Sequence, residues 1–500
     1  MEGFTLDIVV NTRQGAVRGS SIAGIATFKG IPYAANPFGQ DRFRPPQRVQ
    51  AWDGVRDAFD YGPTAPKPGY AVPIDKLLSE PFIAGLDCLN LNVWSPDTGQ
   101  ANLPVMVWIH GGSFVNGSGA VPTYDGRRFA RDGVVCVTIN YRLGPHGFLY
   151  LGEGTADLGM LDQVAALAWV QENIAAFGGD PANVTIFGES AGAFSVCTLL
   201  AMPRAAGLFR RAILQSGAGH HALPPETSRL VGHYLAEKLE VEPTVGGLAS
   251  VPLERIIAAQ VELGNEALMQ PDPARWREVF FNRMLFEPVI DGDILSTLPM
   301  KAVAAGASSD VDVLVGINSE EWRFFTVPNG VIDMINDDIL AFAITAYGLS
   351  PAEALAVYRE ALPGASAGDL QAAVVTDWFF RIPAIRLAEA HAAGRGATYL
   401  YEMTWRSPQF GGRLGSCHAL EIPFVFDNLD QEENRPLVGE NPPQQLADAM
   451  HKAWVSFATH GDPGWPRYNP ARRATMRFDA QSEVVDDPGS ERRRLWEGKR

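Results

Sequence analysis

Val184-Thr185-Ile186-Phe187-Gly188-Glu189-Ser190-Ala191-Gly192 is the stretch that decides the fold. A β-branched, apolar run feeds straight into a serine set between two glycines, and a helical segment leaves it toward Met202 and stops at Pro203. Strand, tight turn and helix in that order form a nucleophile elbow, which lifts a serine Oγ clear of its own chain. The flanking glycines admit the strained backbone such a turn needs, and the helix N-terminus beyond it favours developing negative charge. In a chain with 50 glycines the bare pattern carries little weight, and Gly364-Ala365-Ser366-Ala367-Gly368 repeats it. That second copy follows Leu362-Pro363 with no strand before it and reads as a loop leading into a helix at Asp369.

Working outward, short apolar runs recur at Val105–Ile109, Val134–Ile139, Val184–Phe187, Ala212–Leu214 and Val311–Val315. Runs of this length bounded by Gly, Pro and Asp suit strands buried on both faces. Helical spacing fills the intervals: Leu161 to Phe177 carries Val164, Leu167, Ala168 and Ile174 and ends at Gly178-Gly179. The alternation predicts a doubly wound α/β architecture. No Ser/Gly or Pro-rich linker and no internal repeat divides the chain, so residues 1–500 are expected to form a single domain. Helix-like insertions at about 220–285 and 325–395 follow strands and are expected to shape a cleft at the sheet's carboxyl edge. Gln444 to Thr459, closed by Gly461, predicts one more amphipathic helix.

Composition excludes several classes of function. The chain has 500 residues, 46% of them hydrophobic and 20% charged, which suits a buried core and not a disordered protein. The 41 basic and 57 acidic side chains give a formal charge of −16, which repels nucleic acid and anionic membranes. Cys88, Cys136, Cys197 and Cys417 show neither disulfide-scaffold density nor zinc-ligand spacing and read as buried thiols, so no metal is expected. Met1 to Asp7 lacks a basic segment followed by an apolar one, and no window reaches the ~18 apolar residues of a membrane span. A cytoplasmic, monomeric protein with no membrane partner is the expectation.

A second element upstream complements Ser190. Pro104-Val105-Met106-Val107-Trp108-Ile109 is a buried-strand pattern ending in His110-Gly111-Gly112-Ser113-Phe114. Glycines directly after a strand leave N–H groups free to face a cleft and receive an oxyanion. A nucleophile together with such donors points to acyl transfer.

With these motifs in place the chain resembles the type B carboxylesterase family, the cholinesterase-like branch of the α/β-hydrolase fold, and in particular its bacterial and actinomycete members. The likeness runs through Phe28–Ala34, Arg42–Pro46, Asp87–Trp94, Asn140–Gly144, Gln171–Ala175, Phe187–Gly192 and Gln215–Gly217. It implies a mostly parallel central sheet flanked by helices. The family's acid segment corresponds to Val313 to Trp322, making Glu321 the triad acid; Trp322 stands where the family usually has glycine, and Glu320 is the alternative carboxylate.

Among the histidines after Glu321, His391 falls in an Ala-rich helical run and His451 and His460 on the terminal helix. His418 remains, in Gly415-Ser416-Cys417-His418-Ala419-Leu420-Glu421, where the family carries its base. The resemblance further implies oxyanion donors at the N–H groups of Gly112, Ser113 and Ala191, with Gly111 supplying conformational freedom. It makes Ser216 a buried hydrogen-bonding serine behind the triad. His110 reads as a structural part of the strand end, and Glu189 as a field-tuning or packing neighbour of Ser190. Phe114 in the oxyanion segment and Trp276, Phe280 and Phe281 in the helical insertion are candidates for an apolar substrate pocket.

The implied activity is that of a serine carboxylesterase acting on small-molecule esters of short to medium acyl length, aryl esters included, with no cofactor. Carbamate, amide or lactone hydrolysis by the same triad is the alternative, and a noncatalytic cholinesterase-like binding protein a more distant one. A true acetylcholinesterase is disfavoured, because no Trp lies between Trp52 and Trp94 and no cysteine precedes Cys88.

Overall fold

The computed structural model describes residues 6–99 and 102–499; Met1 to Thr5, part of the opening read above for a leader, lie outside the described residues. The chain forms two compact units, one of residues up to 70, 80–212 and 219–308, the other of 71–79, 213–218 and 309 onward.

In the first unit, β1 (Leu6–Asn11), β2 (Ala16–Ile22) and β3 (Ile25–Pro32) form an antiparallel meander. The short β4 (Val55–Asp57) lies parallel to β2. Next come β5 (Asn90–Ser95), β6 (Leu103–Ile109), β7 (Val135–Ile139) and β8 (Gly179–Glu189), in the spatial order β3-β5-β7-β6-β8. The pairs β6–β7 and β6–β8 are parallel, while β5 is antiparallel to β7. All of β5 and β7, and β6 from Pro104 on, are buried, as expected of strands covered on both faces.

Helix α1 (Leu158–Asn173) starts three residues earlier than its apolar spacing predicted, and a 3₁₀ turn (Ile174–Phe177) tightens its end before Gly178. Helix α2 (Ala191–Ala201) is buried along its whole length and packs on β8 and β6. Its polar residues are satisfied internally: Thr198 Oγ1 donates to the Phe194 carbonyl at 2.8 Å, and Gln163 Nε2 to Ser195 Oγ at 2.9 Å. Helices α3 (Pro225–Leu239) and α4 (Leu253–Met269) pack against each other within the first predicted insertion.

Two sequence blocks of this unit acquire physical reasons. Arg142 grips Asp162 of α1 in a buried bidentate pair, Nη2 to Oδ1 at 2.6 Å and Nε to Oδ2 at 2.7 Å, tying the loop after β7 to the helix. Asn92 Nδ2 donates to Thr138 Oγ1 at 2.9 Å and Asn140 N to the Asn90 carbonyl at 3.0 Å, so the asparagines of β5 pair with the end of β7.

The chain leaves the first unit along β9 (Arg211–Gln215). In the second unit β10 (Asp312–Asn318), β11 (Thr398–Met403) and β12 (Ala474–Phe478) are parallel, and β13 (Glu483–Asp486) closes antiparallel on β12. Helix α5 (Ala367–Thr376) continues through a π-helical turn (Asp377–Arg381) into α6 (Ile382–His391), which packs on β10 and β11. Helix α7 (Gln444–His460) ends at Gly461, whose φ of 76° makes it a left-handed C-cap. Both units thus have parallel cores with antiparallel flanks and helices between the strands, the mostly parallel α/β class the sequence predicts.

Candidate active site

Ser190 lies where β8 ends and α2 begins, with φ 56° and ψ −122°. A non-glycine residue there carries backbone strain that its surroundings must outweigh. They do so by close approach. A Cβ on Gly188 would lie 2.6 Å from the Ile109 carbonyl oxygen, and one on Gly192 would fall on the same oxygen. The two glycines of the motif therefore let the elbow nest against the end of β6.

That strand end carries the donors. Gly112 (φ 107°), Ser113 (φ 55°) and Phe114 (φ 61°) are successive left-handed residues, and α2 opens with Ala191. Among the described residues no acceptor takes the N–H of Gly112, Ser113 or Ala191. Three backbone donors left open beside a serine are what a developing oxyanion requires. The conformational freedom expected of Gly111 is used at Gly112, which carries the positive φ. Gly111 is needed for space, because a Cβ there would stand 2.8 Å from both the carbonyl oxygen and Oε2 of Glu189.

His110 is locked in the strand end: its Nδ1 lies 2.8 Å from the Gly111 oxygen, and its ring stacks on Tyr141 at 4.4 Å. The Tyr141 hydroxyl donates to the His110 carbonyl at 2.8 Å. Burial pushes the His110 pKa down to about 3, opposed by its bond to Gly111, so the ring is neutral at ordinary pH.

The second unit brings an imidazole and a carboxylate together. His418 Nδ1 lies 2.7 Å from Glu321 Oε2, and the His418 N–H donates to the Glu321 carbonyl at 3.3 Å. Glu321 is fully buried; its Oε1 accepts the Asn318 N–H at 2.8 Å, so the end of β10 orients the carboxylate from the other side. Asn318 Nδ2 also donates to the Cys417 carbonyl at 2.8 Å and to Glu421 Oε2 at 2.5 Å. Glu320 points elsewhere: it pairs with Arg323 at 2.9 Å and with Arg406, and accepts the Ser416 N–H at 3.0 Å. Adjacent side chains diverge, so one carboxylate meets His418 while the other pins its loop.

Trp322, in place of the usual glycine, has φ −69° and ψ −14°, a conformation open to any residue. Ser216 is buried with φ 52°, and its N–H donates to the Gly316 carbonyl at 2.9 Å. Its expected hydrogen-bonding role falls to the backbone, since its hydroxyl has no partner among the described residues.

The pocket candidates do not behave alike. Phe114 is buried against Phe148 at 4.7 Å, with its carbonyl accepting the Gly144 N–H at 2.7 Å. Trp276 packs on Tyr234 of α3 at 5.6 Å and donates its Nε1–H to the Gln270 carbonyl at 3.0 Å, while Phe280 and Phe281 meet edge to face at 5.0 Å. The sequence reading missed the aromatic shell of His418: Phe380 at 4.8 Å, Phe325 at 5.3 Å and Phe324 at 6.0 Å between ring centroids. Phe324 and Phe325 stand three and four residues after Glu321, a spacing that returns them to the same side of a helical turn and was the available signal. Among the described residues no group of three or more His, Cys, Asp or Glu side chains is arranged to hold a metal ion, and no single helix is long and apolar enough to cross a membrane.

Comparison with known proteins converges with this geometry. Residues 6–496 match the model of the carboxylesterase family. The chain is 38% identical over 498 residues to the para-nitrobenzyl esterase of Bacillus subtilis, covering 97% of each chain. It is 34% identical over 504 residues to the phenmedipham hydrolase of Pseudarthrobacter oxydans, covering 97% of this chain and 96% of that one. Among solved structures, a Geobacillus stearothermophilus carboxylesterase at pH 6.2 superposes with a TM-score of 0.86 at 40% identity, over 98% of this chain and 99% of the other.

Proposed function

The chain belongs to the carboxylesterase family, has the α/β-hydrolase fold and is a carboxylic ester hydrolase; from that premise we propose that it works through an acyl-enzyme on Ser190. Ser190 Oγ attacks the ester carbonyl carbon while His418 Nε2 takes its proton, and Glu321 holds Nδ1–H and stabilises the imidazolium. The tetrahedral oxyanion is received by the N–H groups of Gly112, Ser113 and Ala191. Collapse of that intermediate breaks the carbon–oxygen bond, and the alcohol leaves with the proton held by His418. Water then repeats the sequence and releases the acid.

The observation that carries this reading is Ser190 held at φ 56° beside backbone donors with no protein acceptor. The test is a rapid-mixing experiment with p-nitrophenyl acetate. A burst of about one p-nitrophenolate per chain and an acetylated Ser190 peptide are expected; no burst and no fluorophosphonate label on Ser190 would overturn it.

The substrates we infer are neutral esters of short to medium acyl length, aryl esters included. The phenylalanines around His418 give the imidazole apolar walls, and a relative is named for a para-nitrobenzyl ester. Each buried methylene adds at most ~0.8 kcal/mol until the space is full, so kcat/KM should rise and then fall from acetyl through butyryl and octanoyl to palmitoyl. A maximum at palmitoyl, with a jump above the substrate's solubility limit, would mean a lipase.

A further inference from the structure

Lys67 and Glu80 form an ion pair whose side chains are 0% and 7% exposed, and no step of the chemistry above uses either. Both charges fasten on one residue of the backbone. Lys67 Nζ donates to the Gly117 carbonyl at 3.0 Å, and the Gly117 N–H donates to Glu80 Oε2 at 2.9 Å. Gly117 in turn packs so tightly on the Gly111 carbonyl and the His110 ring that a Cβ there would fall on both. The ion pair therefore bears, through one glycine, on the strand end that presents the N–H groups of Gly112 and Ser113.

The segment needs an outside hold. Gly112, Ser113, Phe114 and Gly117 all have positive φ, at 107°, 55°, 61° and 93°. Its internal backbone bonds are those of the Val115 and Asn116 N–H groups to the Gly112 carbonyl, at 3.0 and 2.9 Å. A strained stretch persists only where its surroundings over-determine it. Hydrogen bonds to charged groups are about twice as strong as neutral ones. Burial pulls the Lys67 pKa below its ordinary value while Glu80 opposes the shift, so the grip depends on both partners.

We propose that Lys67 and Glu80 are a positioning pair for ester hydrolysis, clamping the Gly117 backbone and thereby fixing the Gly112 and Ser113 N–H groups where the oxyanion develops. This rests on the acyl-enzyme reading and assigns that reaction two residues that never touch substrate.

The test uses Glu80→Asp, which keeps the charge but draws the carboxylate back from Gly117, and the double variant Lys67→Gln/Glu80→Gln, which removes both charges together. Each is assayed on p-nitrophenyl butyrate and with a trifluoromethyl ketone, which adds to the serine and places an oxyanion in the hole. Removing one oxyanion donor outright costs about 10² to 10³ in kcat, so loosening two should cost roughly 10- to 100-fold, with KM changed less than about 3-fold. Affinity for the ketone should fall in proportion to kcat/KM. Folded Glu80→Asp with kcat within about 2-fold of the parent, or with its whole loss in KM, overturns the proposal even if the double variant does not fold. So does a fall in kcat with ketone affinity unchanged, because a merely structural role moves stability and not transition-state binding. Failure of the parent protein to label at Ser190 defeats the acyl-enzyme reading itself and is read separately.

Discussion

At Ser190 the backbone stands at φ 56° and ψ −122° between a strand and a helix, whereas at Ser366, inside the same Gly-x-Ser-x-Gly pattern, it stands at φ −68° and ψ 167°. Ser366 is a helix N-cap. Its Oγ accepts the Asp369 N–H at 3.1 Å, while Asp369 Oδ2 takes the Ser366 N–H at 3.1 Å and its hydroxyl at 2.7 Å, closing a capping box on α5. The hydroxyl of Ser366 is thus consumed by its own helix, while that of Ser190 makes no capping bond to the helix it precedes. Four matching letters out of five describe opposite physics, and what separates them is the strand Val184-Thr185-Ile186-Phe187 in front of one copy and Leu362-Pro363 in front of the other.

The largest contrast lies in the serines themselves. Ser190→Ala should lower kcat by about 10⁴ to 10⁶ with little change in stability, because triad members act as a unit. Ser366→Ala should leave kcat alone and cost about 1 kcal/mol for the lost cap. Ester assays and urea unfolding on both variants check this, and a shift of covalent label to Ser366 or Ser216 would break the comparison.

The neighbouring carboxylates repeat the lesson at lower amplitude. Glu321→Gln should cost at least about 10³ in kcat, while Glu320→Gln, in contact with Arg323, Arg406 and the Ser416 N–H, should change it by less than about 10-fold. The reverse ranking would reassign the acid.

Glycines sharpen the contrast in stability. Gly192→Ala drives a methyl onto the Ile109 carbonyl and should destabilise by about 3 kcal/mol or more. Gly364→Ala meets open space at φ 78° and should cost about 1 kcal/mol. Urea midpoints of the two variants give the difference directly.

The smallest effect concerns histidines held neutral by burial, which the triad reading does not use. His146, stacked 5.4 Å from Phe43, is pushed down to about 3 by burial and then by Arg42 and Arg142. The folded pKa lies below the ordinary 6.5 or so, so the unfolded chain binds the proton first. Stability should be unaffected above that value and fall as pH drops through it, on the order of 1 kcal/mol per pH unit. Urea unfolding at pH 7, 5.5 and 4.5 should show a shallower decline for His146→Phe than for the parent; parallel declines would remove His146 as the cause.

The parallel core was legible because β6, β7 and β10 are continuous apolar runs with little else to become. β1 was not. Four of its six residues are exposed, so it carries neither a buried run nor a clean alternation. That Glu321 and not Glu320 meets His418 was legible only through family register, since nothing local distinguishes the two; the difference lies in where Asn318 and Ser416 come to rest. Phe380 beside His418, and Lys67 and Glu80 on Gly117, escaped for the same reason: their partners lie tens of residues away along the chain, and no periodicity encodes such a meeting.

All four cysteines are free and 0% exposed, and burial raises their thiol pKa values, that of Cys197 to about 12. The native protein therefore offers a reagent such as Ellman's compound nothing to attack. Thiol release becomes an unfolding clock, with Cys417, whose Sγ lies 3.5 Å from the carbonyl oxygen of His418, reporting on the very segment that carries that imidazole. A single cysteine added to the surface would be the one reactive handle on the folded chain, ready for a dye or a solid support without first stripping the native thiols.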